Sequence, residues 1–160
     1  MQSTSTMIPG KLKVEDLDQL GKLVESKCVL MLGCYCGRGL LALARHVRKV
    51  WVLDDFKYPG GIEGIVEELK SNVNRSAPED AEINLLYGST ESWAVPFGSE
   101  DLRTEEVDMV YRDANRPEGY RDVDECMAMV LLRKGGIYAW HDKEHNLKWL
   151  QVQPVPVEVN

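Results

Sequence analysis

The stretch CVLMLGCYCGRG, residues 28–39, decides the fold. Its first five residues, Cys28 to Leu32, form an unbroken apolar run, the composition of a strand covered on both faces. The turn Gly33-Cys34-Tyr35-Cys36-Gly37 interrupts that run. From Arg38 to Val47 the chain is rich in Leu and Ala, which predicts a helix. A buried strand, a glycine-rich turn and a helix in succession open a strand–helix–strand unit.

Downstream the alternation repeats. Val50 to Leu53 predicts a second buried strand, ending in Asp54-Asp55. Beyond Pro59-Gly60-Gly61, the positions of Ile62, Ile65, Val66, Leu69 and Val73 give the apolar stripe of a helix packed on a sheet. Ile83 to Tyr87 and Val107 to Tyr111 predict the third and fourth strands, and the polar stretch Gly88 to Thr104 between them a loop or short helix. Val123, Cys126, Met127 and Val130 stripe another helix, and the turn Lys134-Gly135-Gly136 leads into a fifth strand, Ile137 to Trp140. Upstream, Val14, Leu17, Leu20, Leu23 and Val24 lie at helical spacing behind Pro9-Gly10. Buried strands alternating with amphipathic helices predict an α/β doubly wound, mostly parallel sheet with helices on both faces. Residues 1–12 read as a flexible tail and 13–160 as one domain. Near the end, Val155, Val157 and Val159 alternate with Pro154, Pro156 and Glu158, predicting a proline-containing edge strand with one side blunted.

The 160 residues are 44% apolar and 28% charged, the balance of a single globular domain. With 19 Lys and Arg against 26 Asp and Glu, the net charge is −7, which argues against nucleic acid as the partner. No apolar run reaches the ~20 residues that span a bilayer, so no membrane is expected. The opening Met1-Gln2-Ser3-Thr4-Ser5-Thr6 has no secretion-signal pattern, and a cytoplasmic location is the expectation. With no export signal and a core large enough to dispense with staples, the four cysteines (Cys28, Cys34, Cys36, Cys126) read as reduced thiols, and Cys34-x-Cys36, lacking the second close pair of a zinc site, reads as apolar filler near a loop.

In open parallel sheets the ligand lies beyond the carboxyl ends of the strands. The candidates are therefore Gly33 to Gly37, Asp54-Asp55, Gly88-Ser89-Thr90, Asp113-Ala114-Asn115 and His141-Asp142. A G-x-G-x-x-G dinucleotide turn needs glycine where Tyr35 stands, and Gly37-Arg38-Gly39 does not supply the Gly-Lys-Ser/Thr of a P-loop. Both absences argue against a dinucleotide or a nucleoside triphosphate.

The turn resembles instead the G-x-x-x-G step of class I S-adenosylmethionine-dependent methyltransferases. The resemblance runs from about Ile8 to Asp142 and is similar to the type 24, small O-methyltransferase branch. Its pieces are Ile8-Pro9-Gly10, Gly33-Cys34-Tyr35-Cys36-Gly37-Arg38, Leu53-Asp54-Asp55-Phe56, Gly88-Ser89-Thr90, Asp113-Ala114-Asn115 and the run from Leu132 through Gly135-Gly136 to His141-Asp142. It implies a Rossmann-like sheet and S-adenosylmethionine as cofactor. Gly33, Cys34, Tyr35 and Gly37 would border its methionine and ribose, and Asp54, with Asp55 beside it, would take the ribose hydroxyls. Ser89 and Thr90 would flank the adenine, Asp113 would lie near the reactive end, and His141 and Asp142 would face the acceptor. Three departures stand out. Met31 occupies the place of an acidic residue two positions before Gly33, Gly39 replaces a serine or threonine, and the chain after Asp142 is shorter than in relatives.

The resemblance implies methyl transfer to a hydroxyl of a small molecule or sugar. His141 is then the expected general base, since an imidazole titrates near neutral pH. Asp113, Asn115 and Asp142 are an expected ligand set for Mg2+ or Ca2+. The alternative for His141-Asp142 is a pair that closes a strand end by hydrogen bonds alone. His145 reads as an exposed loop residue, and Trp93, Trp140 and Trp149 as packing residues. Two further readings stay open: a methyltransferase-like module without catalysis, and an NAD- or nucleotide-sugar-dependent enzyme on the same sheet. A homodimer, using the tail strand, is the expected assembly.

Overall fold

The computed structural model describes residues 8–25, 27–58, 63–88 and 106–152. Helix α1 (Val14–Leu23) precedes β1 (Cys28–Leu32), and α2 (Arg38–Ala44) leads to β2 (Lys49–Asp54). Helix α3 (Ile65–Ser76) then leads to β3 (Glu82–Tyr87). After β4 (Val107–Arg112) and a short 3-10 turn (Glu118–Tyr120) come α4 (Arg121–Leu131), β5 (Leu132–His141) and β6 (Leu147–Gln151). The six strands form one sheet in the order β3-β2-β1-β4-β5-β6. All neighbouring strands are parallel except β5 and β6, which are antiparallel. The doubly wound, mostly parallel expectation therefore holds.

Alternation along the buried strands supplies a core on each side. Val29 and Met31 of β1, Val50 and Val52 of β2 and Met109 and Tyr111 of β4 pack with Leu17 and Leu20 of α1, Leu40 and Leu43 of α2 and Leu69 of α3. The intervening residues Leu30, Leu32, Leu53 and Val110 face the other way, against Met127 and Ala128 of α4. Every residue of β1 is buried, as its unbroken apolar run requires. Ile8 and Leu12, inside the stretch read as a tail, are also buried, at 3% exposure each. Ile8 packs with Cys36, Leu41 and Ile65 and so brings the leading Ile8-Pro9-Gly10 segment against the first turn.

Two expectations change at the carboxyl-terminal side. The glycines expected to turn the chain before the fifth strand lie within β5, which begins immediately after α4. The β4–β5 register shifts between Val107 and Met109 at that point, and Gly135 has φ +77°. A Cβ on Gly136 would come within 2.9 Å of the Arg133 carbonyl oxygen and 3.1 Å of that of Asp108, so the irregularity needs a residue without a side chain. The second change is β6. Among the described residues the sheet's last strand on this side is Leu147–Gln151, a strand the sequence reading did not anticipate. The expected strand around Val155 to Val159, the turn Pro59-Gly60-Gly61 and the stretch Ser89 to Thr104, with Trp93, lie outside the described residues. Among the described residues no helix is long and apolar enough to cross a membrane.

Candidate functional site

Strand order reverses between β1 and β4, so their carboxyl ends diverge and leave a crevice there. The Gly33 turn forms its floor. Gly33 holds φ +75° and its amide donates to the Leu53 carbonyl at 2.8 Å, bending the chain sharply over the end of β2. Tyr35 at φ +50° is left-handed without being glycine, and Gly37 at φ +94° precedes the first residue of α2.

Asp54 holds this turn. It is fully buried at the end of β2, and its Oδ2 accepts from the Cys34 amide at 2.8 Å and from the Tyr58 hydroxyl at 2.6 Å. Its Oδ1 accepts from the Phe56 amide at 2.8 Å, which turns the chain back after the strand. The Tyr58 oxygen also accepts from the Tyr35 amide at 3.2 Å. Burial, and then the Asp54 carboxylate, push the Tyr58 phenol well above its ordinary pKa and hold it protonated. The same two causes push up the buried Cys34 thiol. Cys34, Cys36 and Cys126 form no disulfide among the described residues.

The space above Gly33 is filled by the protein itself. A Cβ placed on Gly33 would lie 2.9 Å from Tyr58 Oη and 3.0 Å from Arg116 Cδ. Tyr58 and Arg116 also line an open cleft of about 630 Å³, together with Lys11, Tyr35, Asn115 and Lys143. The two side chains thus stand between that cleft and the turn. Arg116 is fixed from behind. Its Nε and Nη2 donate to the two oxygens of Asp124 at 3.1 Å each, and Arg112 Nε donates to the same carboxylate at 3.0 Å. All three side chains are buried, at 4% exposure or less. Arg116 stacks over the Tyr120 ring at 4.3 Å, and the Tyr120 hydroxyl donates to Asp55 Oδ2 at 2.7 Å. Asp55 is therefore tied to the β4–α4 connection.

Asp113, buried after β4, accepts from the Asn115 amide at 2.8 Å. Burial pushes its carboxyl up to about 7 against that bond, with the Asp54 charge adding to the rise. Asp113 Oδ1 would stand 3.1 Å from a Cβ on Gly39, so the glycine that replaces serine or threonine lets this carboxylate approach α2. Met31 is fully buried against the same glycine.

His141 reaches the cleft wall, but both its ring nitrogens are engaged. Nε2 lies 3.0 Å from the hydroxyl of fully buried Tyr111. Nδ1 lies 3.3 Å from the His145 carbonyl and 3.7 Å from Asp16 Oδ2. Two acceptors at Nδ1 place the proton there and leave Nε2 to accept from Tyr111. Burial lowers the His141 pKa, so the ring is neutral at pH 7. Asp142 is engaged by its own loop. Oδ1 accepts from the Glu144 and Asn146 amides at 2.9 Å each, and the Asn146 amide holds its pKa low. Asn115 Oδ1 accepts from the Lys11 amide at 3.0 Å. Of the expected metal set, Asn115 and Asp142 both line the cleft, where Asn115 also binds the leading segment and Asp142 closes the β5–β6 turn. Among the described residues no group of three or more His, Cys, Asp or Glu is placed to hold a metal ion. His141 is thereby bonded to β4 and to its own loop, and Asp142 to the loop that joins β5 and β6.

The structure brings Gly33, Cys34, Tyr35, Gly37, Asp54 and Asp113 together around one turn, while Ser89 and Thr90 lie outside the described residues. Sequence reasoning missed Tyr58, Arg112, Arg116, Tyr120 and Asp124. The available signal was a pair of arginines four apart directly after an apolar strand, a placement that asks for a buried counter-charge.

No protein-family model and no curated protein matches the sequence. Solved structures do match. An O-methyltransferase from Bacillus cereus in complex with SAH is 18% identical with a TM-score of 0.66, over 85% of this chain and 60% of that one. Precorrin 8W decarboxylase from Methanobacterium thermoautotrophicum is 16% identical with a TM-score of 0.59, over 84% of this chain and 66% of that one. An rRNA methylase from Streptococcus thermophilus is 15% identical with a TM-score of 0.57, over 81% of this chain and 71% of that one. The chain therefore shares the fold of these proteins and spans less than two thirds of the length of the first two.

Two outcomes follow from the charges. Asp124→Ala leaves two buried guanidiniums without their shared carboxylate, and urea denaturation should show a loss of about 3–5 kcal/mol. A loss under 1 kcal/mol would mean that the arginines are balanced elsewhere. The Asp113 carboxyl binds its proton more tightly in the folded than in the unfolded chain. Its contribution is complete below the ordinary carboxylate pKa of about 4 and is lost as pH rises through about 7. Relative to Asp113→Asn, the native protein should lose stability across that window. Parallel pH curves for the two would show that Asp113 titrates normally.

Proposed function

We propose that this chain is an S-adenosylmethionine-dependent methyltransferase domain acting on a hydroxyl of a small molecule. Asp54 is the observation that carries the reading. It is a buried carboxylate at the end of β2, beside a tight glycine turn, and it already accepts a hydrogen bond from a hydroxyl. A ribose diol presents the same donor chemistry, and a hydroxyl donating to a carboxylate makes a strong, charge-assisted bond. The cofactor supplies an electrophilic methyl group on a sulfonium.

The protein's part is placement. Gly33 and Gly37 let a ligand approach the backbone, and Asp54 fixes the sugar. In this reading Ser89 and Thr90 flank the adenine, and Asp113 borders the reactive end. Fully buried Met31 offers no charge to the cofactor's amino group. The acceptor enters through the cleft bordered by Lys11, Tyr35 and Lys143. In-line displacement needs alignment above all, and holding the acceptor there supplies it. In this reading His141, a neutral imidazole on the cleft wall, receives the proton that the acceptor hydroxyl loses, its Nε2 exchanging the Tyr111 hydroxyl for the acceptor. A small molecule is preferred to RNA, since a net charge of −7 opposes phosphate binding. A cytoplasmic homodimer completes the proposal.

A second reading, a methyltransferase-like module without catalysis, is favoured by one observation. Tyr58 and Arg116 fill the space over Gly33. Titration calorimetry separates the two readings. S-adenosylmethionine and S-adenosylhomocysteine should bind while NAD gives no heat, and Asp54→Ala should weaken binding by ~1–3 kcal/mol. No heat from either adenosyl compound would favour the module, and unchanged affinity in the variant would remove Asp54 from the site.

A further inference from the structure

We infer that Tyr58 is an internal ligand of the Asp54 site, and that a hydroxyl-bearing ligand binds by displacing it. This rests on the cofactor reading above and adds to it a residue that sets affinity and selects the incoming group. The phenol oxygen makes two bonds at once, donating to Asp54 Oδ2 at 2.6 Å and accepting from the Tyr35 amide at 3.2 Å. It also takes up the close approach that Gly33 permits, 2.9 Å from where a Cβ would stand. Those are the contacts that a sugar hydroxyl would need.

Of the two side chains over the turn, Tyr58 is the one that can leave. Arg116 is clamped by Asp124 and stacked on Tyr120. Tyr58 sits on the irregular segment after β2, held by its two hydrogen bonds, an edge-on contact with the Tyr35 ring at 5.1 Å and partial packing on the Ile8, Cys36, Leu41 and Ile65 cluster, with no ionic clamp of the kind that holds Arg116. Removing it rotates a short arm and breaks no strand ladder. The exchange also selects chemistry. A hydroxyl donates and accepts, and so replaces both bonds; an ammonium would leave the Tyr35 amide unpaired, and a carbonyl would leave Asp54 without its donor.

Displacement of a bond to a carboxylate opposes binding. Tyr58→Phe keeps the ring and removes the donor, so S-adenosylhomocysteine should bind the variant roughly 10-fold more tightly or better. In stopped-flow mixing, the association rate of the native protein should level off at high ligand concentration, because departure of Tyr58 limits it, whereas that of the variant should rise in proportion. Equal or weaker binding by a Tyr58→Phe protein with native circular dichroism would overturn the inference and leave the cofactor reading standing. Should that variant not fold, the native kinetics decide alone, and a rate that stays proportional to ligand would overturn it. Absence of binding to both proteins would remove the cofactor reading and this inference with it.

Discussion

A carboxylate with no exposure to water has to find its hydrogen bonds inside the protein, and Asp54 finds them in ways that shape everything around it. One bond, from the Cys34 amide, ties the end of β2 to the turn after β1; another, from Phe56, bends the chain back on leaving the strand. An unpaired buried carboxylate would cost several kcal/mol, so the conformation of the turn and the position of the carboxylate fix each other. Left-handed backbone at Tyr35 and Phe56, φ +50° and φ +57°, accompanies these bonds, with the Phe56 amide on Asp54 and the Tyr35 amide on the Tyr58 hydroxyl. The third partner, the Tyr58 hydroxyl, is a side chain, and only it can be exchanged without disturbing the turn.

Behind this pair a second network makes the crevice rigid. Asp124 gathers Arg112 and Arg116, Arg116 lies on Tyr120, and Tyr120 reaches Asp55. The connection after β4 is thereby tied to the end of β2, across the end of β1. Buried ionic networks of this kind add little net stability compared with a packed apolar core, but they specify geometry, because breaking one leaves a charge stranded. One wall of the crevice is consequently fixed and the other, Tyr58, is held by a few contacts. A fixed wall beside a removable one suits a site that discriminates between ligands.

The sheet was legible in the sequence where strands are buried on both faces, since β1 and β2 leave continuous apolar runs and β4 one broken only by Asp108. It was less so at the edges. Leu147–Gln151 is mostly exposed and mixes Lys148 and Gln151 with Trp149, so neither an alternating nor a continuous pattern marks it. The paired glycines 135 and 136 looked like a turn, because sequence does not distinguish φ freedom for turning from the close backbone approach that a register shift in a sheet requires. For the site, polar residues at strand ends marked where to look. What they bond to was not legible: Asp55 meets Tyr120, 65 positions on, and His141 meets Tyr111, 30 positions back. Those pairings follow from strand order. The same gap hides that Asn115 bonds the Lys11 segment and Asp142 its own loop, bonds that residue type alone does not announce.

The account depends most on what occupies Asp54, and a crystal structure grown with saturating S-adenosylhomocysteine shows it directly. It predicts density above Gly33 with a sugar hydroxyl on Asp54 Oδ2, Arg116 still on Asp124, and Tyr58 swung out beyond hydrogen-bond reach. Tyr58 still bonded to Asp54, with nothing above the glycine turn, would contradict it.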